Sequence, residues 1–413
     1  MTLTNIISAI GNNSSVYPLI VRDCGIEVPT KIVLTYNQNK QDSKEIAYLA
    51  ARERFLDEYA TSLVWLGGIP IIGKIFDSII KKSGFSPDVN IRLFKENKFQ
   101  GINNNIEKFK NLAPKEVKDL INVKQNKKTY EKLLAGKFIA STTIPILFMG
   151  FILPKLIFAS SAKKIRELKS KKLNQISFLQ KDRFIKQKNM TFTGSNWISK
   201  TANYSVQDKM AVTDGGYAVG RVLTARNKNE SYDLAFKMAG MMFLNFVAPK
   251  WIEKALNKIT GIKLDPLILA DKEFISQIKK NNLNLPKTSS PEDIFKYIDN
   301  PSNKNSIFIK YLKKFNKVSF LSNGIRDPRK YVDINEVINL REEMLKFAEK
   351  SLKSNNFVKF IKNAKFLKTA NIVSNVALSS FLLAYCLPKT QFAFRKLITG
   401  SNLEPGLKDK VND

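Results

Sequence analysis

Histidine is absent from this 413-residue chain, and cysteine is limited to Cys24 and Cys386. Without histidine no side chain titrates near neutrality at its ordinary pKa, so Ser/His and Cys/His dyads and the commonest transition-metal ligand are excluded. The two cysteines are far apart, Cys24 beside Gly25 in a polar stretch and Cys386 inside an apolar run. That placement argues against a disulfide framework or a zinc site and suits a reduced compartment or a membrane. The start, Met1 to Arg22, has no basic leader and no sustained apolar core, because Asn5, Asn12, Asn13, Ser14 and Ser15 interrupt it. No secretory signal peptide is expected, and any route to a membrane runs through internal segments.

Acidic residues are also scarce, 36 against 68 Lys and Arg, which leaves a net charge of +32. Such a field favours anionic lipid, nucleic acid or an acidic partner. A second origin is equally open. The chain is rich in Lys, Asn and Ile, whose codons are AT-rich, so a bacterial-type genome of biased base composition would produce much of the excess unselected. The charge is spread along nearly the whole length, as a general field rather than one reading site. With 44% hydrophobic residues the chain is expected to fold.

Hydropathy patterning reads as all-α. Two short runs, Tyr17 to Val21 and Lys31 to Tyr36, are rich in Ile, Val, Leu and Tyr and are separated by Asp23, Gly25 and Pro29, which predicts a small N-terminal β-hairpin. From Asp42 the pattern turns helical and runs to Glu58, then into an uncharged stretch, Tyr59 to Gly73, broken by Gly67, Gly68 and Pro70. Phe138 to Pro154 has seventeen residues without a charge, and the run resumes after Lys155 as far as Ala162. A helix over 138–162 would be about 37 Å long, enough for a hydrocarbon core of about 30 Å. Leu234 to Leu256 is weaker, with Lys237 and Lys250 bracketing twelve uncharged residues, whereas Thr369 to Pro388 is twenty residues without a charge. Ser290-Pro291 starts a helix that Asn300-Pro301 ends, and Asp333, with Glu336 three residues on, starts another that runs to Leu352.

Three apolar segments end alike. Phe148-Met149-Gly150-Phe151-Ile152-Leu153-Pro154-Lys155 matches Phe243-Leu244-Asn245-Phe246-Val247-Ala248-Pro249-Lys250 and Leu382-Leu383-Ala384-Tyr385-Cys386-Leu387-Pro388-Lys389, with a weaker relative at Val64 to Pro70. Proline bends the axis, and the next lysine can lay its stem on apolar surface while its ammonium reaches headgroups. Lys155, Lys250 and Lys389 are therefore the expected contacts to anionic lipid, joined by Lys163, Lys164 and Arg166, with Trp251 as an interfacial aromatic. Core helices of a soluble bundle that stop at proline are the competing reading. Both flanks of the 138–162 segment are basic, so no orientation follows from charge.

No catalytic or cofactor signature stands out. Gly215 and Gly220 have phosphate-loop spacing, but Arg221 and Val222 stand where Lys and Ser or Thr are needed, so these glycines read as a turn. Ser160 and Lys163 have a nucleophile-and-base spacing on a basic flank, a common coincidence, and the carboxylates of Glu342-Glu343 read as solvated surface. The resulting expectation is a non-enzymatic, largely helical protein of the inner or cytoplasmic membrane, contacting anionic lipid and holding no cofactor or metal. A soluble basic protein binding nucleic acid by charge is the alternative, and a lipid-modifying enzyme the third. The expected divisions are 1–58, 59–165, 166–259, 260–368, 369–398 and a loose tail, 399–413.

Overall fold

The computed structural model describes residues 3–11, 20–40, 44–96, 98–172 and 206–405. Gly194, Trp197 and the end of the tail lie outside them. The helices are α1 (Leu3–Gly11), α2 (Val28–Lys40), α3 (Lys44–Leu63), α4 (Ile69–Lys82), α5 (Ile102–Phe109) and α6 (Pro114–Gln125). Next come α7 (Lys127–Leu147), α8 (Leu153–Lys172), α9 (Val206–Leu223), α10 (Lys228–Phe246), α11 (Ala248–Thr260) and α12 (Pro266–Leu269). The last are α13 (Lys272–Lys279), α14 (Pro291–Ile298), α15 (Ile307–Lys314), α16 (Ile334–Leu352), α17 (Phe357–Phe381) and α18 (Leu387–Thr399). Among the described residues there is no strand, only one isolated antiparallel bridge between Phe320 and Arg326. The protein is all-α, as expected.

The predicted hairpin is not formed. Ile20–Glu27 is a π-helical segment that passes into α2, with Pro29 in its first turn. A strand there would have no ladder to join. As a helix, the segment puts Glu27 and Lys31 one turn apart, where they pair inside the protein. Burial of that ion pair and of Thr35 and Asn39 along the same side overrides the β-branched Ile32 and Val33.

Proline explains three further irregularities. A proline cannot donate to the carbonyl four residues back, and its ring collides with that carbonyl, so a regular helix would break. Here the helix widens instead: Val64–Gly68, Phe148–Ile152 and Leu382–Cys386 are π turns, each followed by one residue and then Pro70, Pro154 or Pro388. The intervening residues Ile69, Leu153 and Leu387 donate their N–H to the carbonyl five residues back. Gly150 O, the carbonyl Pro154 cannot serve, accepts from the Thr224 hydroxyl at 3.1 Å. The relative that matches least well by letters, Val64 to Pro70, thus shares its geometry with the first and last copies. The copy at Pro249 differs: α10 ends at Phe246 and α11 begins at Ala248.

The chain divides into two compact units. Unit 1 comprises residues 1–18, 74–134 and 249–378. Five of its helices are capped by side chains, with Asp265, Asp271, Ser290, Ser306 and Asp333 each accepting a free backbone N–H of the first turn. Ile268, Phe274, Ile294, Phe308, Leu312, Val337 and Met344 form one buried core, and Ile80, Leu93, Leu120 and Tyr130 another. Gln100 joins the two stretches of chain, donating to Val332 O and accepting from Val332 N, both at 2.8 Å. Arg326 does the same more strongly, fully buried on Asp299 between the rings of Phe109 and Phe295, each 5.0 Å away. Nearer the surface the Lys330 ammonium, 2.7 Å from Asp88, holds that carboxyl below its usual range. That pair's contribution is present above the unfolded value of 3.8 and is lost as the pH falls through the lower folded value.

Unit 2 comprises residues 19–73, 135–248 and 379–413. Gly215 and Gly220, the glycines expected to form a turn, lie inside α9, and Gly220 serves close packing instead. A Cβ on Gly220 would stand 2.8 Å from Gly150 Cα, which is backbone, whereas one on Gly216 would stand 2.5 Å from Cδ1, 2.9 Å from Cγ1 and 3.1 Å from Cγ2 of the Ile146 side chain, which can turn. Gly220→Ala should therefore cost about 1–3 kcal/mol of stability, because backbone must move. Gly216→Ala should cost less, and melting temperatures of the two variants in the same detergent check the order.

Candidate functional site

Two features stand out, long apolar helices that run through both units and an ionic interior in unit 2. Three continuous helical stretches, Lys44–Lys82, Lys127–Glu167 and Phe357–Thr399, are long and apolar enough to cross a membrane. At 39, 41 and 43 residues they are roughly 60 Å long, about twice the hydrocarbon thickness, so their basic ends extend beyond it. Their large side chains point outward: Leu63, Ile144, Leu147, Leu156 and Phe381 are all about half exposed or more.

The sequence-predicted lipid contacts lie on the exterior as well. Lys155, Lys163, Arg166 and Lys389 are exposed and Lys164 is half-buried. The Lys164 ammonium lies 5.3 Å from the centroid of the Tyr48 ring, and that of Lys389 lies 5.8 Å from Tyr385. Lys250 and Trp251 are exposed too, but they belong to unit 1, at the start of α11. The structure thus brings five of the six basic residues into one unit and places the sixth, with the tryptophan, in the other.

The interior was not foreseen from the sequence. In α3, Glu53, Arg54, Asp57 and Glu58 all turn inward or half inward, so successive charges meet partners on different neighbours. Glu58 is held by three cations: Lys237 Nζ at 3.0 Å, Arg54 Nη1 at 3.3 Å and Lys31 Nζ at 4.0 Å. Lys31 also pairs with Glu27, and Arg54 Nε donates to Thr35 Oγ1 at 3.4 Å. Asp57 accepts from Arg221 Nη2 at 2.9 Å. Arg226 forms a two-pronged contact to Glu53, 3.1 Å on each prong, and pairs with Glu230 at 2.7 Å. At the α18 side, Arg395 is fully buried against Asp233 and Glu404, both at 2.9 Å, and Gln391 Nε2 donates to the same Asp233 oxygen at 2.8 Å.

Along α10 these contacts begin at Glu230 and continue through Asp233 and Lys237 to Asn245, which accepts from Arg22. Fifteen residues of helix separate Glu230 from Asn245, so the polar column is about 22 Å long. Glu27, Glu53, Asp57, Glu58 and Glu230 are balanced by Lys31, Arg54, Arg221, Arg226 and Lys237. With Asp233 and Glu404 set against Arg395, the acids of these contacts outnumber the bases by one, so the excess positive charge of the chain lies outside them. Asp57 Oδ1, Arg221 Nε and Nη1, and Arg395 Nη1 are buried without a protein hydrogen-bond partner.

Buried charges leave little trace in a sequence, since Glu-Arg-Phe-Leu-Asp-Glu reads like any solvated helix face. The one visible signal is Lys237, a cation within the apolar segment Leu234 to Leu256. Cys24 and Cys386 are free and half-buried. No family model, no curated protein and no solved structure matches the chain.

Proposed function

We propose that this chain is an integral protein of the inner or cytoplasmic membrane, with a structural or interaction role rather than a catalytic one. It would hold anionic lipid through Lys155, Lys250 and Lys389, with Lys163, Lys164, Arg166 and Trp251 beside them. The observation that carries this reading is the inside-out distribution of polarity. Only 6% of the apolar window in Lys44–Lys82 is buried, while ion pairs fill the centre of unit 2. A water-soluble fold would bury the first and expose the second.

The protein should stay with membranes through carbonate and high salt, and release by either would overturn integration. A nucleic-acid binder held by charge alone would instead come off with salt and show a steep salt slope on DNA or RNA. Each lysine near an anionic surface contributes about 1 kcal/mol, or about fivefold in affinity. A Lys155→Glu, Lys250→Glu, Lys389→Glu variant should accordingly lose its preference for anionic over zwitterionic lipid in a competition measurement. An unchanged preference would remove the lysine role.

A second reading, ion-coupled transport, is favoured by the column of ionisable groups and its partnerless atoms, because intramembrane charges commonly mark ion pathways. It requires proton or chloride flux in proteoliposomes above that of empty vesicles, lost in Glu58→Gln. Absence of such flux would remove it.

A further inference from the structure

We propose that residues 400–405 form a removable strap that closes one end of the buried ionic column of unit 2 and so controls the access of water and small ions to it. The strap goes beyond the membrane reading and stands on the packing of unit 2 alone.

Its shape follows from how α18 ends. Gly400 takes a left-handed conformation, φ 66°, in which its N–H still reaches Lys396 O, so the chain turns back after the helix. Ser401 N donates to Thr399 Oγ1 and Leu403 N to Ser401 Oγ, both at 3.2 Å, and these bonds hold the turn. The returning residues meet three helices where their polar sides stop. On α2, Lys31, Thr35 and Asn39 recur every four residues, and Asn39, the last of them, accepts from Glu404 N at 3.0 Å. Asn227, the cap at the start of α10, donates to Pro405 O at 3.0 Å. Arg395, in the last turns of α18, donates to Glu404 Oε2 at 2.9 Å. Leu403 packs on a buried patch of Ile46, Leu49, Ala50 and Ile165. Lys163 and Arg166, exposed close to Ile165 in α8, leave this end within reach of a water-soluble reagent.

Two observations make the strap removable rather than a fixed part of the interior. The first is charge. Glu404 is the one acid in excess: without it Asp233 and Arg395 match each other, as the other five acids and five bases of the column do. Its carboxylate can therefore leave without stranding a buried cation. Arg395 keeps a fork on Asp233, Nε to Oδ1 at 3.2 Å and Nη2 to Oδ2 at 2.9 Å, and Gln391 holds the same carboxylate. The second is exposure. The Glu404 side chain keeps 17% of its surface exposed against 2% for Asp233, so its charge stands next to the water that would receive it. Arg54, Arg226 and Lys237 lie within electrostatic reach of that carboxylate, which puts the strap over the column and not beside it.

Full-length protein with Cys24→Ser, Cys386→Ser and Ala50→Cys carries a single thiol in the patch that Leu403 covers. A charged maleimide should label that thiol slowly. A hydrogen bond to a charged group shifts an opening equilibrium by about tenfold or more, so adding Glu404→Gln should raise the labelling rate by about that factor. Leu403→Ala should raise it as well. Lifting so short a segment exposes little surface, so all these rates should stay flat in urea below the unfolding transition. Equal rates with and without Glu404→Gln would overturn the strap. Rates that climb steeply from the lowest urea would overturn it too, since they mark exposure by unfolding of unit 2. If the reporter variant does not fold, hydrogen exchange of residues 44–55 in the unmodified chain and in Glu404→Gln replaces the labelling. Faster exchange confined to that stretch supports the strap, and unchanged or uniformly faster exchange overturns it.

Discussion

Glu58→Ala is expected to cost unit 2 about 3–5 kcal/mol, because removing one member of a buried ionic group leaves its partners charged and uncompensated. Glu58 is the extreme case here, since Lys31, Arg54 and Lys237 all converge on one carboxylate. Among the described residues only Lys31 of the three has a second acid in contact, Glu27, and Lys237 would be left with no ion pair. Glu58→Gln keeps an acceptor for Lys237 but not the charge, and should fall between the native chain and Glu58→Ala. The measurement is thermal or denaturant unfolding in detergent micelles. A loss below about 0.5 kcal/mol for Glu58→Ala, the range of an exposed pair, would mean that the column is hydrated and not dry.

Arg326→Ala should cost unit 1 a similar amount, about 3–5 kcal/mol, for a related reason in a different setting. The guanidinium makes a fork on Asp299, with Nε to Oδ1 at 2.8 Å and Nη2 to Oδ2 at 3.2 Å. Its faces pack against Phe109 and Phe295, which come from the 74–134 and 249–378 stretches of the unit. Lysine cannot reproduce a planar fork or stack between two rings, so Arg326→Lys should recover less than half of the loss. Asp299 would keep Lys108 at 2.7 Å, which softens the penalty without removing it. Hydrogen exchange would locate the effect in α5, α14 and the 320–332 segment. Uniform protection there in Arg326→Ala would show that this arginine does not fasten the two stretches together.

What could be read from the sequence follows from where its residues meet water or each other locally. Caps act within a few residues, so the helix starts at Ser290 and Asp333 were legible and are found. Long uncharged runs are equally local, and Phe138 to Pro154 and Thr369 to Pro388 lie inside helices able to span. The hairpin failed because short Ile, Val and Tyr runs suit a strand or a buried helix alike, and the Lys31 ion pair to Glu58 in α3 with the Arg22 hydrogen bond to Asn245 in α10 decides the matter from far away in sequence. The turn reading of Gly220 fails for the same reason, since its close contact with Gly150 is disclosed by no local pattern. The inward charges of α3 were least legible of all, since a buried Glu and a solvated Glu are the same letter.

The π turns have one more effect, on helical phase. An inserted residue turns everything after it by roughly 100° about the axis relative to an unbroken helix. Downstream of Leu382–Cys386 this sets the direction in which Gln391 and Arg395 point, and both point at Asp233. Deleting one residue from that turn would aim the same two side chains elsewhere without changing either of them. The proline after each turn makes that setting hard to lose, since a restored α-helical ladder would collide with its ring. The repeated unit thus acts as a rotational lock, fixing which face of a long apolar helix is turned toward the ions and which outward.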